Sequence, residues 1–115
     1  MGNSFGTDTL EMKRLHRLGK LDKEHTFLFA TMLMKQGKFK EAEILYNENT
    51  KLTSSENYNV SFNYATALLK NKKTREGLKK FYELKLAMKK NNDTQEILYG
   101  EIGKNILRIL KGKKG

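Results

Sequence analysis

Shifting this chain by 35 residues lays it onto itself. Ala30, Thr31, Leu33 and Lys35 fall on Ala65, Thr66, Leu68 and Lys70, and Lys38, Glu41 and Glu48 fall on Lys73, Glu76 and Glu83. Where the residue changes, its size is kept: Ala42 becomes Gly77, and Tyr46 becomes Phe81. A fixed period of roughly 20–50 residues marks an array of units that bury their apolar faces only against one another. Each unit here reads as helix–turn–helix. In the first, Lys35-Gln36-Gly37-Lys38 ends one helix and Phe39 to Tyr46 begins the next. Gly37 accepts the left-handed backbone that such an exit requires. Ala42 and Tyr46 lie four apart, so one helix face carries a small residue for close approach and a bulky one to fill space.

This spacing and the small-x-x-x-aromatic pattern resemble the tetratricopeptide repeat, with a usual period of 34, over roughly residues 23–90. Phe29, Ala30, Leu33, Ala42 and Tyr46 stand at that family's Leu, Gly/Ala, Tyr, Ala and aromatic positions. Tyr64, Ala65, Leu68, Gly77 and Phe81 do so in the second unit. The pattern departs at the family's Trp (Thr26, Ser61) and at its second Ala (Asn49, Leu84), and the closing Pro is missing because the chain has no proline. The resemblance implies an all-α fold, a right-handed stack of antiparallel helix pairs with about six helices.

The helix signals divide the chain accordingly. Residues 1–7 read as a flexible N-terminus, 8–112 as one helical domain and 113–115 as a basic tail. The start lacks the Ser or Thr that N-myristoylation favours at position 6, which is Gly6. Thr7 or Asp8 caps a first helix with Leu10, Leu15, Leu18 and Leu21 as its apolar stripe and Gly19 at its end. Asp22 or Lys23 opens the second, to about Gln36; the third runs from Lys38 or Phe39 to about Leu52. Thr53 to Asn57 is a polar connection, and a fourth helix follows to about Lys70. In the next turn Asn71 is the candidate for the left-handed position and Thr74 for the cap. The fifth helix ends near Lys90, and Asn91-Asn92-Asp93-Thr94 is a stop and restart. In the last helix Gly100 continues the spacing of Ala30 and Ala65, as in the first helix of a truncated third unit.

A chain of 115 residues suits one domain. It has no cysteine, which excludes disulfides and thiolate chemistry and fits a cytoplasmic setting. No 18-residue apolar window or signal-peptide pattern is present. The net charge of +10 is uneven. Residues 1–69 carry 9 basic and 8 acidic side chains, whereas 70–115 carry 14 and 5. That asymmetry favours acidic partners, phosphate polymers or anionic membrane surfaces.

Nothing in the chain reads as a catalytic constellation, and no cofactor is expected. There is no phosphate-cradling glycine loop and no thiol nucleophile. His16 and His25 lie across a helix break without a cysteine nearby, and Glu41 and Glu43 face different sides of one helix. What remains is a binding surface. The resemblance implies that the first helix of each unit lines a groove. Its rows would be Phe27, Phe62 and Ile97; Thr31, Thr66 and Glu101; Met34, Leu69 and Lys104; and Lys35, Lys70 and Asn105. Phe27, Thr31 and Phe62 replace the Lys, Asn and Arg of the family's carboxylate-clamp members, which argues against chaperone-tail recognition. The expectation is a non-enzymatic interaction module: an adaptor, scaffold or small chaperone. Its apolar groove with a Lys edge would take a peptide or helix of a protein partner with acidic flanks. The alternatives are nucleic-acid or anionic-membrane binding by the basic half, and an accessory role to an enzyme or small GTPase. Self-association through the apolar last helix is a further expectation.

Overall fold

The computed structural model describes residues 9–48 and 58–112, and among them the fold is all-α with six helices. These are α1 (Thr9–Arg17), α2 (Lys23–Lys35), α3 (Phe39–Glu48), α4 (Tyr58–Lys70), α5 (Thr74–Lys90) and α6 (Ile97–Gly112). Each helix packs on its successor in antiparallel fashion, and α2 also meets α4. The N-terminal segment, the continuation of the third helix to Leu52, the Thr53–Asn57 connection and the basic tail lie outside the described residues.

The 35-residue spacing reappears as backbone geometry. At the end of α2, Gly37 N–H donates to Met34 O at 3.1 Å and Lys38 N–H to Leu33 O at 2.9 Å. At the end of α4, Lys72 N–H donates to Leu69 O at 3.0 Å and Lys73 N–H to Leu68 O at 2.8 Å. This pair of bonds is the Schellman closure, which needs a left-handed residue at its pivot. Gly37 supplies it with φ 78°, and Lys72, 35 positions on, with φ 65°. α1 and α5 close in the same way, around Gly19 (φ 71°) and Asn92 (φ 62°).

Two expectations for the α4–α5 turn are corrected. The left-handed residue is Lys72 rather than Asn71, because the Schellman register places Asn71 at the position of Gln36, still on the helix. Asn71 serves instead as a brace between units. Its Nδ2 donates to Phe39 O at 3.0 Å and to Glu43 Oε1 at 2.6 Å. Lys73 Nζ meets the other carboxylate oxygen of Glu43 at 2.6 Å. Thr74 is the first helical residue, and the cap position belongs to Lys73, whose side chain makes no capping bond. At α2 the expectation holds: Asp22 caps the helix by accepting from His25 N–H at 2.8 Å.

The core forms two clusters divided along α4. Met12, Phe29, Ala30, Leu33, Ala42, Leu45 and Tyr46 gather with Tyr64, Ala67 and Leu68. Ala65 faces the other way, joining Phe81, Leu84, Met88, Ile102 and Ile106. Tyr46 and Phe81, the paired aromatics of the two units, are both fully buried. Burial of each contributes roughly 1.5–3 kcal/mol. Their small partners are packed as tightly: a Cβ on Gly77 would stand 2.9 Å from Leu69 Cδ2 and 3.1 Å from Ala65 O. Gly100 does not follow suit. It is exposed with nothing within 4 Å of its Cβ position, because no described helix covers that side of α6. α1 also differs from expectation. Met12 is its buried residue, while Leu10 and Leu18 are exposed.

Candidate binding groove

α2, α4 and α6 alternate with α1, α3 and α5 in the antiparallel succession, so the three run in one direction. Phe27 and Phe62 occupy the same place relative to their units. The Phe27 ring is inclined 25° to that of Tyr46 at a centroid distance of 6.5 Å, and Phe62 meets Phe81 edge-on at 5.4 Å. Both are half-buried, so each covers a core aromatic with one side and keeps the other outward. Thr31 and Thr66 repeat as well: each hydroxyl donates to the carbonyl four residues back, of Phe27 at 3.0 Å and Phe62 at 2.9 Å. Both hydroxyls are thus engaged on the backbone, and that of Thr31 also stands 3.5 Å from the Tyr46 hydroxyl. Met34 packs partly on the first cluster and Leu69 partly on the second, where it caps Gly77. Lys35 is exposed, and Lys70 lies with Nζ 5.8 Å above the Phe39 ring.

The third unit breaks the pattern. Ile97 is 85% exposed, whereas Phe27 and Phe62 are half-buried against Tyr46 and Phe81. Glu101 is half-buried, accepts the Asn105 amide at its backbone carbonyl, 2.8 Å away, and pairs loosely with Lys104 at 3.5 Å. Ile97 and Glu101 nevertheless share one feature. They line an open cleft of about 520 Å³ between the first turns of α4 and α6. Leu98 and Glu96 line it beside them, Tyr58 and Asn59 form the α4 side, and Met88 of α5 contributes from below.

Tyr58 fixes the shape of this cleft. Its hydroxyl donates to Asp93 Oδ2 at 2.6 Å and accepts from Asn91 Nδ2 at 2.9 Å, tying the start of α4 to the α5–α6 connection. The bond to the Asp93 carboxylate holds the Tyr58 phenol above its ordinary pKa, with desolvation adding to the same effect. Tyr46 and Tyr64 are also raised, each chiefly by burial. The cleft side of the row carries Glu96 and Glu101, whereas Lys35 and Lys70 mark the far ends of α2 and α4. The row therefore carries carboxylates at its cleft end and lysines at the far ends of α2 and α4.

Of the twelve residues expected in the groove rows, Ile97 and Glu101 line the cleft. Eight lie on α2 and α4, and Lys104 and Asn105 lie on α6. Sequence reasoning did not single out Tyr58, Asn59, Glu96, Leu98 or Met88 as lining. One signal was available: Tyr58 and Asp93 are separated by the repeat period, and they bond to each other.

The two histidines are accounted for by neighbours. His16 Nε2 stands 3.3 Å from Glu48 Oε1, and His25 Nδ1 lies 2.7 Å from Asp22 Oδ1. No group of three or more potential metal ligands gathers among the described residues. None of the described helices is long and apolar enough to cross a membrane. Comparison with protein families, curated proteins and solved structures returns no match for this chain.

Proposed function

We propose that this chain is a tetratricopeptide-like interaction module that acts without catalysis, holding an apolar segment of a protein partner along α2, α4 and α6. The reading rests on the open cleft that Ile97 and Glu101 line between the first turns of α4 and α6, together with the half-buried Phe27 and Phe62 at the equivalent positions of α2 and α4. Ile97 is a large aliphatic side chain with no role in the core, and at 85% exposure it is available as an anchor contact. The equal spacing of the closures at Gly37 and Lys72 supports the family resemblance, since it reproduces one unit twice. The distribution of charge favours a partner helix with apolar anchors, acidic residues toward Lys35 and Lys70 and a basic residue toward Glu96 and Glu101.

A peptide-display selection against the immobilised domain tests the reading. The selected sequences are expected to be apolar with charges polarised as above. Ile97→Glu should weaken them at least tenfold, with unchanged helicity because the side chain is outside the core. Ile97 is a cleaner probe than Phe62, whose replacement would also strip Phe81. A selection that yields no binders, or binders indifferent to Ile97→Glu and Glu101→Lys, would overturn the proposal.

A further inference from the structure

The outer side of α5 has a different chemistry from the groove. The helix carries six cationic and two acidic side chains. Gly77, Phe81, Leu84 and Met88 face the core. At about 100° per residue, Arg75, Lys79, Tyr82, Leu86 and Lys89 fall opposite them within an arc of about 80°, with Lys90 on its border. All six are exposed. Tyr82 and Leu86, 42% and 66% exposed, occupy the middle of this stripe, and the cations lie toward its ends. None of Arg75, Lys79, Lys89 and Lys90 forms an ion pair among the described residues, whereas Lys80, off the stripe, engages Glu83 at 3.6 Å. An unpaired cationic line with bulky apolar residues at its centre serves no purpose in the core, where Phe81 and Met88 already fill the space.

We infer that this face of α5 docks the protein on an anionic lipid surface, through Arg75, Lys79, Lys89 and Lys90 and with Tyr82 and Leu86 entering the headgroup layer. Three features select a bilayer as the occupant. The stripe follows one helix along an exposed face, which matches a flat surface rather than an inserted ligand. Its cations are mainly lysines, point charges suited to dispersed headgroups rather than to bidentate recognition of one phosphate. An aromatic–aliphatic pair between lysines is the amphipathic order that lies in a membrane interface, with lysine stems apolar and heads wet. Base recognition in a nucleic acid would call for stacking platforms and arginine forks, and the stripe holds one tyrosine and one arginine.

The test is co-sedimentation with vesicles of phosphatidylcholine alone and of phosphatidylcholine with phosphatidylserine. The wild-type chain is expected to sediment with the anionic vesicles only, and to be released as salt rises. Each lysine replaced by Ala along the stripe should weaken binding about fivefold, so Lys79→Ala/Lys89→Ala/Lys90→Ala loses about a hundredfold. Leu86→Ser should weaken it further. Lys38→Ala/Lys40→Ala, which removes exposed cations at the start of α3, should change little. All these side chains are exposed, and matching circular dichroism spectra verify that the variants fold. Equal loss from the α3 and α5 variants would reduce the effect to net charge and overturn the proposal. So would no binding to anionic vesicles, or tighter binding to single-stranded polynucleotide than to vesicles with loss in the same α5 variants.

Discussion

Gly77→Leu is the perturbation on which the packing argument can be judged most quantitatively. The first carbon of any side chain at Gly77 would stand 2.9 Å from Leu69 Cδ2 and 3.1 Å from the carbonyl oxygen of Ala65. Leu69 is half-buried and can rotate aside, but the Ala65 carbonyl belongs to the α4 backbone. Three further carbons leave α4 and α5 no option but to separate. Overpacking of this kind costs typically 1–3 kcal/mol and sometimes more, of which better helix propensity returns about 0.8 kcal/mol. A net loss of about 1–2 kcal/mol corresponds to a fall in Tm of about 5–10 °C for a domain of this size. Gly103→Ala is the matched control, because it is also mid-helix and nothing lies within 4 Å of its Cβ position. It should gain about 0.5–1 kcal/mol, raising Tm by a few degrees. Thermal melts followed by far-ultraviolet circular dichroism read both. An unchanged or raised Tm for Gly77→Leu, in step with Gly103→Ala, would refute the close approach of α4 and α5.

Two other predictions address the turns and caps. Exchanging the pivots of the two Schellman closures should have opposite effects of similar size: Gly37→Lys lowers stability by about 1 kcal/mol, and Lys72→Gly raises it by about as much, read from urea unfolding midpoints. Asp22 has its carboxyl held below the usual range, first by the His25 backbone N–H and then by the His25 ring. A depressed folded-state pKa gives stability that is present above the unfolded value of about 3.9 and is lost as pH falls through the folded value. Asp22→Ala should therefore melt below wild type at neutral pH, and the gap should close below about pH 4; a gap constant with pH would remove the cap from the account.

The period made most of the fold legible, for a physical reason. Units that bury faces only on their neighbours must repeat the residues at each contact, so Ala42/Gly77 and Tyr46/Phe81 announce their own packing. Turn chemistry was harder to read. Propensity favoured Asn71 for the left-handed position, but hydrogen-bond register overrode it and gave that conformation to Lys72. Asn71 was then free to brace Phe39 and Glu43, a contact across units that local sequence does not encode. The ends were the least legible. Gly100 matches Ala30 and Ala65 in spacing but lacks the opposing helix that gives a small residue its role. Leu10 and Leu18 look like a core stripe, yet Met12 takes the buried place. The same holds for the groove: Phe27 and Phe62 follow from the repeat, whereas the cleft depends on how Tyr58 and Asp93 bring α4 and α6 together.

The most direct test of the account is to map a selected peptide onto the domain by amide chemical-shift perturbation in a nitrogen-15-labelled sample. The largest shifts are expected on α4 and α6 around Tyr58, Ile97 and Glu101, extending to Phe27 and Thr31 of α2, with α1, α3 and the outer stripe of α5 unmoved. Perturbations confined to α1, α3 or α5, with Ile97 and Glu101 silent, would contradict the assignment of the groove.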